Sequence, residues 1–374
     1  MFEQTKALCD LFLKMGIPGF DLVVYRDGAC ILRHMGGYAD PEKKIPIRGK
    51  EKYHVYSISK LFTCAAAMQL WEKGLFSLDD KLSDYMPAFR DMTVKTETGI
   101  QKAKNPILIR HLFEMTSGIN YDLHTPALEQ YYQDCKGRCP TLELVQHIAE
   151  SPLEFEPGES WMYGLSHDVL VALVEQLSGQ KFEEYVRDHI FLPLGMVNSD
   201  FLHPMEDWEG FARMFRYEAA TQQYEPRWST IYRPGPEYAS GGAGCVSTVE
   251  DCIRFLEAMR VGDVILKKDT IAMMAVNRLT EEQIKLTGTN GYGLGMRASK
   301  AEDPVKEFGW GGAAGAFASV DLTNNLTIYY GQHVTLPPNM ALRMWLYKTV
   351  LADLEGVRIQ FPEVEIPRDP KFTY

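Results

Sequence analysis

The sequence predicts an α+β protein, with an α/β lobe built around an antiparallel sheet and a second lobe that is mainly helical. Strand patterns occur near both ends of the chain, and helical patterns fill most of the segment between them. The 374 residues also exceed the size at which one hydrophobic core usually stops growing. We therefore expect residues 1–55 and 290–374 to build the sheet lobe together, and residues 56–289 to form the helical lobe.

Periodicity and turn residues define the first elements. Apolar residues within 8–15 recur at helical spacing, which predicts an amphipathic helix. Two β-rich runs follow at residues 22–25 and 29–33, with Asp27-Gly28 between them. Asp-Gly between such runs is a strong signal for a β-hairpin.

The middle of the chain carries helical patterns interrupted by glycine and proline. Residues 61–71 are almost all apolar or small, so we predict a helix that is buried on every side. Residues 201–240 are rich in aromatic residues and proline and are predicted only as a loop or lid. Further helices are expected at residues 107–114, 142–150, 169–177, 182–192 and 249–260.

Strand patterns return near the C-terminus. Strands are expected at residues 292–297, 316–322 and 326–332, with a turn at 324–325. A final helix is expected at residues 340–354. Strands at both ends of the chain indicate one sheet closed by the two ends, and active sites commonly lie between two such lobes.

Composition narrows the possible partners. The net charge of -11 repels phosphate backbones and no basic run reverses it, so nucleic acid is not expected as a partner. No window approaches eighteen apolar residues, so no membrane span is expected. Glu3, Asp10 and Lys14 interrupt any signal-peptide core, which predicts a cytoplasmic protein unless a leader has been removed. The sequence leaves the oligomeric state open.

The seven cysteines form no C-x-x-C pair. Cys135 and Cys139 are separated by three residues, but no histidine pair at ligand spacing lies nearby. A zinc site is therefore not expected. Free thiols are the ordinary state of cysteine in an intracellular chain.

Ser57 and Lys60 form an S-x-x-K pair at the start of the predicted buried helix. Positions three apart share one helical face, so the hydroxyl and the amine can meet. The helix N-terminus favours an alkoxide and gives a developing oxyanion one N–H donor at Ser57. Burial in an apolar helix disfavours the charged form of Lys60 and so favours its use as a base. S-x-x-K alone is a weak signal, but the apolar sequence after it is unlike a solvated helix face.

Two further segments carry candidate site residues. Tyr163 lies within PGESWMYGLSHDVL, and a tyrosine beside a cationic lysine could lose its proton in part and act as a general base. An isolated tyrosine is more often a core residue with a satisfied hydroxyl. Trp310-Gly311-Gly312-Ala313 is predicted to open a strand against which a substrate can lie closely. The backbone N–H of Ala313 is a candidate second oxyanion donor.

In this order, the S-x-x-K pair, the tyrosine and the glycine-rich segment resemble those of serine β-lactamases and penicillin-binding proteins. The chain is most similar to the branch with class C β-lactamases, D,D-peptidases and the β-lactamase-like carboxylesterases of family VIII. This resemblance implies the β-lactamase/D,D-peptidase-like fold, an α/β lobe against a helical lobe. It runs from about Ile17 to Gln332 and is carried by IPGFDLVVYRDGACILRHMGGYAD, LFEMTSGI, PGESWMYGLSHDVL, GGAGCVSTVEDCIRFLEAM and FGWGGAAGAF.

The resemblance also implies roles for the site residues. Ser57 is the nucleophile that becomes acylated, Lys60 activates it, and Tyr163 matches the tyrosine of the family's Y-x-N element. Leu165 replaces the asparagine of that element, and Trp310 stands where antibiotic-binding members have the lysine of K-T-G. An amide and a cation that would hold a β-lactam or D-Ala-D-Ala are therefore missing, while Trp310 offers an apolar wall and one N–H donor. The pattern resembles that of the family VIII carboxylesterases, which implies a carboxylesterase acting on small ester or amide substrates.

Other functions stay open at this point. A β-lactamase or a D,D-/D-amino-acid peptidase would use the same residues, and Arg297 or Lys300 could restore a carboxylate site. An inert binding protein on the same fold is a third possibility, although the presence of the whole catalytic trio favours an enzyme. No metal or organic cofactor is implied, because this chemistry uses side chains and backbone donors only.

Two serine-hydrolase alternatives can be set aside. An α/β-hydrolase would need G-x-S-x-G, which the sequence lacks. Ser166-His167-Asp168 has the residue types of a triad, but neighbours on a helix point about 100° apart and cannot form a relay. We expect these three residues to begin a helix, with Ser166 or Asp168 as its cap.

Overall fold

The computed structural model describes residues 1–228, 232–364 and 366. Within these residues, no helix is both long enough and apolar enough to cross a membrane. The helices are α1 (Glu3–Lys14), α2 (Ser59–Glu72), α3 (Leu82–Tyr85), α4 (Ile109–Glu114), α5 (Pro126–Asp134), α6 (Thr141–Ile148), α7 (Ser166–Ser178), α8 (Phe182–Val186), α9 (Val249–Val261), α10 (Lys268–Met274), α11 (Glu281–Thr287) and α12 (Arg343–Glu355). The strands are β1 (Gly19–Arg26), β2 (Ala29–Asp40), β3 (Ile45–Pro46), β4 (Lys52–His54), β5 (Thr93–Thr96), β6 (Gly99–Lys102), β7 (Met214–Glu218), β8 (Gln223–Arg227), β9 (Val246–Thr248), β10 (Arg297–Ala298), β11 (Glu307–Gly311), β12 (Phe317–Asp321), β13 (Leu326–Gly331) and β14 (Val334–Thr335).

The main sheet has seven strands in the order β10-β11-β12-β13-β1-β2-β3, and every neighbouring pair is antiparallel. The two ends of the chain meet inside it, where β1 pairs with β13 from Asp21 opposite Gly331 to Arg26 opposite Leu326. The predicted hairpin forms as β1 and β2, with Asp27 and Gly28 between the strands. The predicted α+β class and the antiparallel sheet made from both chain ends are confirmed.

Helices cover both faces of this sheet. α1 and α12 pack together on one face, where Phe12, Tyr330 and Leu346 are buried in one cluster. α9 packs on the opposite face against β13, β12 and β1. Because α9 falls within residues 56–289, that range also supplies a layer of the sheet region. The exact division into two lobes stays a prediction.

The helical region is organised around α7, which contacts α2, α4 and α6. All residues from Val169 to Val174 are buried, as are those from Lys60 to Met68 in α2. A helix that is apolar on every side is stable only when other elements surround it, so the prediction of a buried helix after Ser57 is confirmed.

Two predictions of secondary structure need correction. Residues 201–240, predicted as a loop or lid, contain the hairpin β7–β8, and β7 pairs in parallel with β14. Residues 229–231 of that segment lie outside the described residues. Of the strand expected at 292–297, only Arg297 lies in a strand, β10 (Arg297–Ala298). Gly295 has a φ of +87° where the chain passes α2, which is not a strand conformation. A Cβ at Gly295 would lie 2.1 Å from Cys64 Sγ, so glycine is required there.

Candidate active site

Ser57 lies in a 3₁₀ turn, Tyr56–Ile58, that leads directly into α2. The turn is anchored by the pairing of β4 with β9, and the N–H of Val55 donates to the carbonyl oxygen of Cys245 at 3.1 Å. Tyr56 has a φ of +48°, a left-handed conformation that bulky residues rarely adopt outside functional sites. Ser57 therefore precedes α2 and does not begin it, which corrects the prediction while keeping the spacing to Lys60.

Lys60 is completely buried in α2. Its Nζ donates a hydrogen bond to the carbonyl oxygen of Gly242 at 2.7 Å and lies 4.4 Å from the centre of the Tyr163 ring. A Cβ on Gly241 would lie 2.4 Å from the carbonyl oxygen of His167, so only glycine permits this close approach. Gly241 and Gly242 belong to a turn of small residues at 240–244, and this turn holds the amine of Lys60. Sequence reasoning did not assign this role to the turn.

Tyr163 and Trp310 form a stacked pair beside Lys60. Their ring centres are 5.8 Å apart with an interplanar angle of 25°. The indole Nε1–H of Trp310 donates to the hydroxyl oxygen of Tyr163 at 3.0 Å. The N–H that the sequence offered to a substrate is therefore already used to orient the tyrosine.

Trp310→Phe is expected to lower kcat/KM for nitrophenyl butyrate about 5- to 10-fold, because phenylalanine keeps an aromatic ring and loses the hydrogen bond to Tyr163. A net hydrogen bond is worth about 1 kcal/mol, which corresponds to a change of this size. Trp345→Phe on α12 is the matched control and should retain the wild-type rate. A wild-type rate for Trp310→Phe would show that the hydrogen bond does not orient the tyrosine for catalysis.

The glycine-rich segment ends β11 and does not open a strand, contrary to the prediction. After Gly311 the chain turns tightly, with the N–H of Gly312 donating to the carbonyl oxygen of Ala316 at 2.9 Å. A Cβ on Gly312 would lie 2.5 Å from the carbonyl oxygen of Val55, so glycine brings the segment against the Ser57 turn. Among the hydrogen bonds of the described residues, none is donated by the backbone N–H of Ser57 or Ala313. Both groups are available to an oxyanion.

These residues surround one cavity of about 530 Å³. Neither Lys60 nor Leu165 lines it. Leu165 is only 1% exposed and precedes α7, with its N–H donating to the carbonyl oxygen of Asn120. Leu165 was predicted at a substrate-binding position, and the structure places its side chain in the core instead. The predicted residues that do line the cavity are Ser57, Tyr163, Trp310, Gly311, Gly312 and Ala313.

Two arginines also line the cavity. Arg297 is buried and paired with Glu307, with Nε 3.2 Å from Oε2, so its charge is balanced. Arg343 donates from Nη1 to the carbonyl oxygens of Gly312 and Ala316 at 2.8 and 3.0 Å, and no carboxylate of the described residues pairs with it. Burial, followed by the charge of Arg297, lowers the pKa of Arg343 to about 10, so it remains positive at neutral pH. Sequence reasoning missed this residue.

The Ser166-His167-Asp168 segment forms no relay. Ser166 Oγ is 2.8 Å from Ser117 Oγ, and the carboxylate of Asp168 accepts a hydrogen bond from the Tyr238 hydroxyl at 2.8 Å. The residue that caps α7 is Leu165, without a side-chain hydrogen bond. The predicted capping by Ser166 or Asp168 is therefore wrong, because both side chains face the protein interior and bind partners there.

Comparison with known proteins identifies the family and the fold. The family model described as Beta-lactamase matches residues 6–347. Esterase EstB of Burkholderia gladioli is 28% identical over 346 residues, which covers 83% of this chain and 85% of EstB. Among solved structures, EstCE1, a hydrolase with promiscuous acyltransferase activity, has a TM-score of 0.76 at 24% identity and covers 93% of this chain and 97% of its own. D-amino acid amidase from Ochrobactrum anthropi SV3 has a TM-score of 0.72 at 19% identity, covering 95% and 98%.

The chain therefore belongs to the beta-lactamase family, and it is a serine hydrolase of that family. The family match extends beyond the segment from Ile17 to Gln332 that carried the resemblance. The likeness to the two solved structures shows the fold, and the predicted β-lactamase-like fold is confirmed. Within the described part of the chain, no group of three or more His, Cys, Asp or Glu side chains is arranged to hold a metal ion.

Proposed function

We propose that this protein is a carboxylesterase that hydrolyses small esters through an acyl-enzyme on Ser57. The observation that carries the proposal is the convergence of Ser57, Tyr163 and the unused N–H of Ala313 on one cavity, with Lys60 buried beside the Tyr163 ring. A nucleophile, a proton acceptor and oxyanion donors are the groups that acyl transfer requires.

The reaction has two half-reactions. Tyr163, in proton exchange with Lys60, takes the proton of the Ser57 hydroxyl as the oxygen attacks the ester carbonyl. The N–H groups of Ser57 and Ala313 stabilise the negative oxygen of the tetrahedral intermediate. The proton then passes to the leaving alcohol as the ester C–O bond breaks. In the second half-reaction the same groups take a proton from the water that attacks the acyl carbonyl. That proton returns to Ser57 Oγ as the bond between Oγ and the acyl carbon breaks and the acid leaves.

Two features favour an ester over a β-lactam. The leucine side chain at position 165 is buried in the core, so this position provides no amide group to the cavity. Trp310 stands in place of a lysine and donates its N–H to Tyr163.

The charge that a β-lactam carboxylate needs is nevertheless partly present, because Arg343 lines the cavity without a carboxylate partner among the described residues. Lys300, which the sequence offered for this role, is bound to Glu281 at 2.6 Å.

Nitrophenyl butyrate is expected to have a kcat/KM about 10- to 100-fold higher than nitrocefin. An acylamide left without a partner in a desolvated site costs about 1–3 kcal/mol, which corresponds to a factor of this size. A substrate carboxylate left without a cation would add a second free-energy cost. Arg343 lines the cavity and supplies a cation in place of the missing lysine, so this second cost is not expected. Both constants are measured on the same protein sample by absorbance.

Two controls sharpen this comparison. Ser57→Ala gives the background for each substrate, and Arg343→Met should lower the value for nitrocefin more than that for the uncharged ester. A higher kcat/KM for nitrocefin than for nitrophenyl butyrate would contradict the esterase proposal and favour the β-lactamase alternative.

The alternative of a β-lactamase or D-amino-acid peptidase rests on one observation, the unpaired charge of Arg343 in the cavity, which suits a substrate carboxylate. The fold likeness to D-amino acid amidase is compatible with it. A cytoplasmic location remains part of the proposal. All seven cysteines are free thiols, which supports a reducing compartment.

A further inference from the structure

Asp168 is a buried carboxylate close to the amine of Lys60. It lies in the first turn of α7 and has no exposed area. A Cβ placed on Gly242 would lie 2.9 Å from Asp168 Oδ2 and 3.1 Å from Lys60 Nζ, so the carboxylate and the amine flank the same glycine. The carbonyl oxygen of Gly242 accepts the hydrogen bond from Lys60.

The surroundings of this pair are otherwise uncharged. The Tyr238 hydroxyl donates to Asp168 Oδ1 at 2.8 Å, and the hydroxyl of Tyr121 approaches the same glycine. His167 is buried beside Cys64, with Nε2 3.7 Å from Sγ, and burial together with the charge of Lys60 holds the pKa of that imidazole well below its usual range. His167 is thus neutral and adds no charge.

Burial of both groups makes their interaction strong. A buried ammonium ion is costly unless a negative charge lies near it. Burial raises the pKa of Asp168 above its usual value, and the Lys60 charge acts in the opposite direction, as do hydrogen bonds from Tyr238, Ser240 and the backbone of Gly242. Within the described residues, no carboxylate lies within ion-pair distance of Lys60, so a charge acting across Gly242 is the compensation that the fold provides.

We propose that Asp168 is a positioning residue of this hydrolase: its buried carboxylate faces the amine of Lys60 across Gly242 and balances the charge of that amine beside the Tyr163 ring. This role rests on the proposed function of the Ser57 site. Asp168 does not touch the reacting atoms, and it acts through the Lys60–Tyr163 pair. It also explains why the turn beside Lys60 contains glycine, since a side chain at Gly242 would separate the two charges.

The test is the pH dependence of kcat/KM for nitrophenyl butyrate in Asp168→Asn and Tyr238→Phe. Removing a nearby negative charge makes every proton of the Lys60–Tyr163 pair easier to lose, so the profile of Asp168→Asn should move to lower pH by about one unit or more. Tyr238→Phe removes the hydrogen bond to Asp168 and keeps its charge, so its profile should stay in place. A merely structural role would lower the rate without moving the profile.

Three outcomes are distinguishable. A folded Asp168→Asn variant with the wild-type profile overturns the role of Asp168. If Asp168→Asn does not fold, Asp168→Ser takes its place, and an unmoved profile there overturns the role equally. Turnover of nitrophenyl butyrate by the wild-type protein and by Ser57→Ala is measured first and separately. If Ser57→Ala retains the wild-type turnover, the proposed function itself is refuted.

Discussion

Ser57→Ala is expected to abolish ester hydrolysis, with kcat falling on the order of 10⁶-fold, as for other serine nucleophiles. The nucleophilic oxygen that faces the cavity is lost, while the backbone N–H groups at position 57 and at Ala313 remain. Ser57 is partly exposed to the cavity, so removal of its hydroxyl leaves no buried polar group unpaired and should change stability little. The measurement is turnover of nitrophenyl butyrate together with thermal unfolding.

Ser77→Ala is the matched control for this variant. Ser77 is an exposed serine outside the cavity, and its replacement should leave turnover unchanged. A folded Ser57→Ala protein that kept most of the wild-type activity would require a different nucleophile and would remove the basis of the proposed mechanism.

Lys60→Arg is expected to be almost as damaging as Lys60→Ala, with a loss of about 10²–10⁴-fold in kcat. Arginine cannot give up its proton at working pH, so it cannot exchange a proton with Tyr163. The guanidinium group is also larger than the ammonium group, and Nζ occupies a completely buried position 2.7 Å from the carbonyl oxygen of Gly242. The measurement is single-turnover acylation, which isolates the step in which the serine loses its proton.

Lys73→Arg provides the control, because Lys73 is exposed and directly follows the C-terminal end of α2. It should leave acylation unchanged. Near-normal acylation in Lys60→Arg would mean that Lys60 contributes a fixed positive charge only, and that the proton is handled by Tyr163 without exchange.

Much of the fold follows from local patterns in the sequence. The Asp27-Gly28 hairpin and the all-apolar helix after Ser57 form as the residues predict. The strand Glu307–Gly311 was missed because two of its five residues are glycines, which weaken strand propensity. The hairpin within residues 201–240 was missed because proline and aromatic residues obscure its alternation.

The part of the site that local spacing can predict is the Ser57–Lys60 pair. Ser57 and Lys60 are three residues apart, and the 3₁₀ turn of Ser57 runs directly into α2, which keeps them one turn apart. The Trp310–Tyr163 hydrogen bond joins residues 147 positions apart and depends on how β11 lies against the helices. Arg343 reaches the cavity only because α12 packs back onto the sheet. Such contacts arise from tertiary packing, which no local pattern encodes.

Labelling with a fluorophosphonate probe tests the central claim most directly, because only an activated serine reacts quickly with it. The wild-type protein should gain the mass of one probe, and peptide mapping should place it on Ser57. Ser57→Ala should remain unlabelled under the same conditions. A folded wild-type protein that gained no label, or that carried the label on another residue, would contradict the assignment of Ser57 as the activated nucleophile and would favour an inert binding protein or a different site.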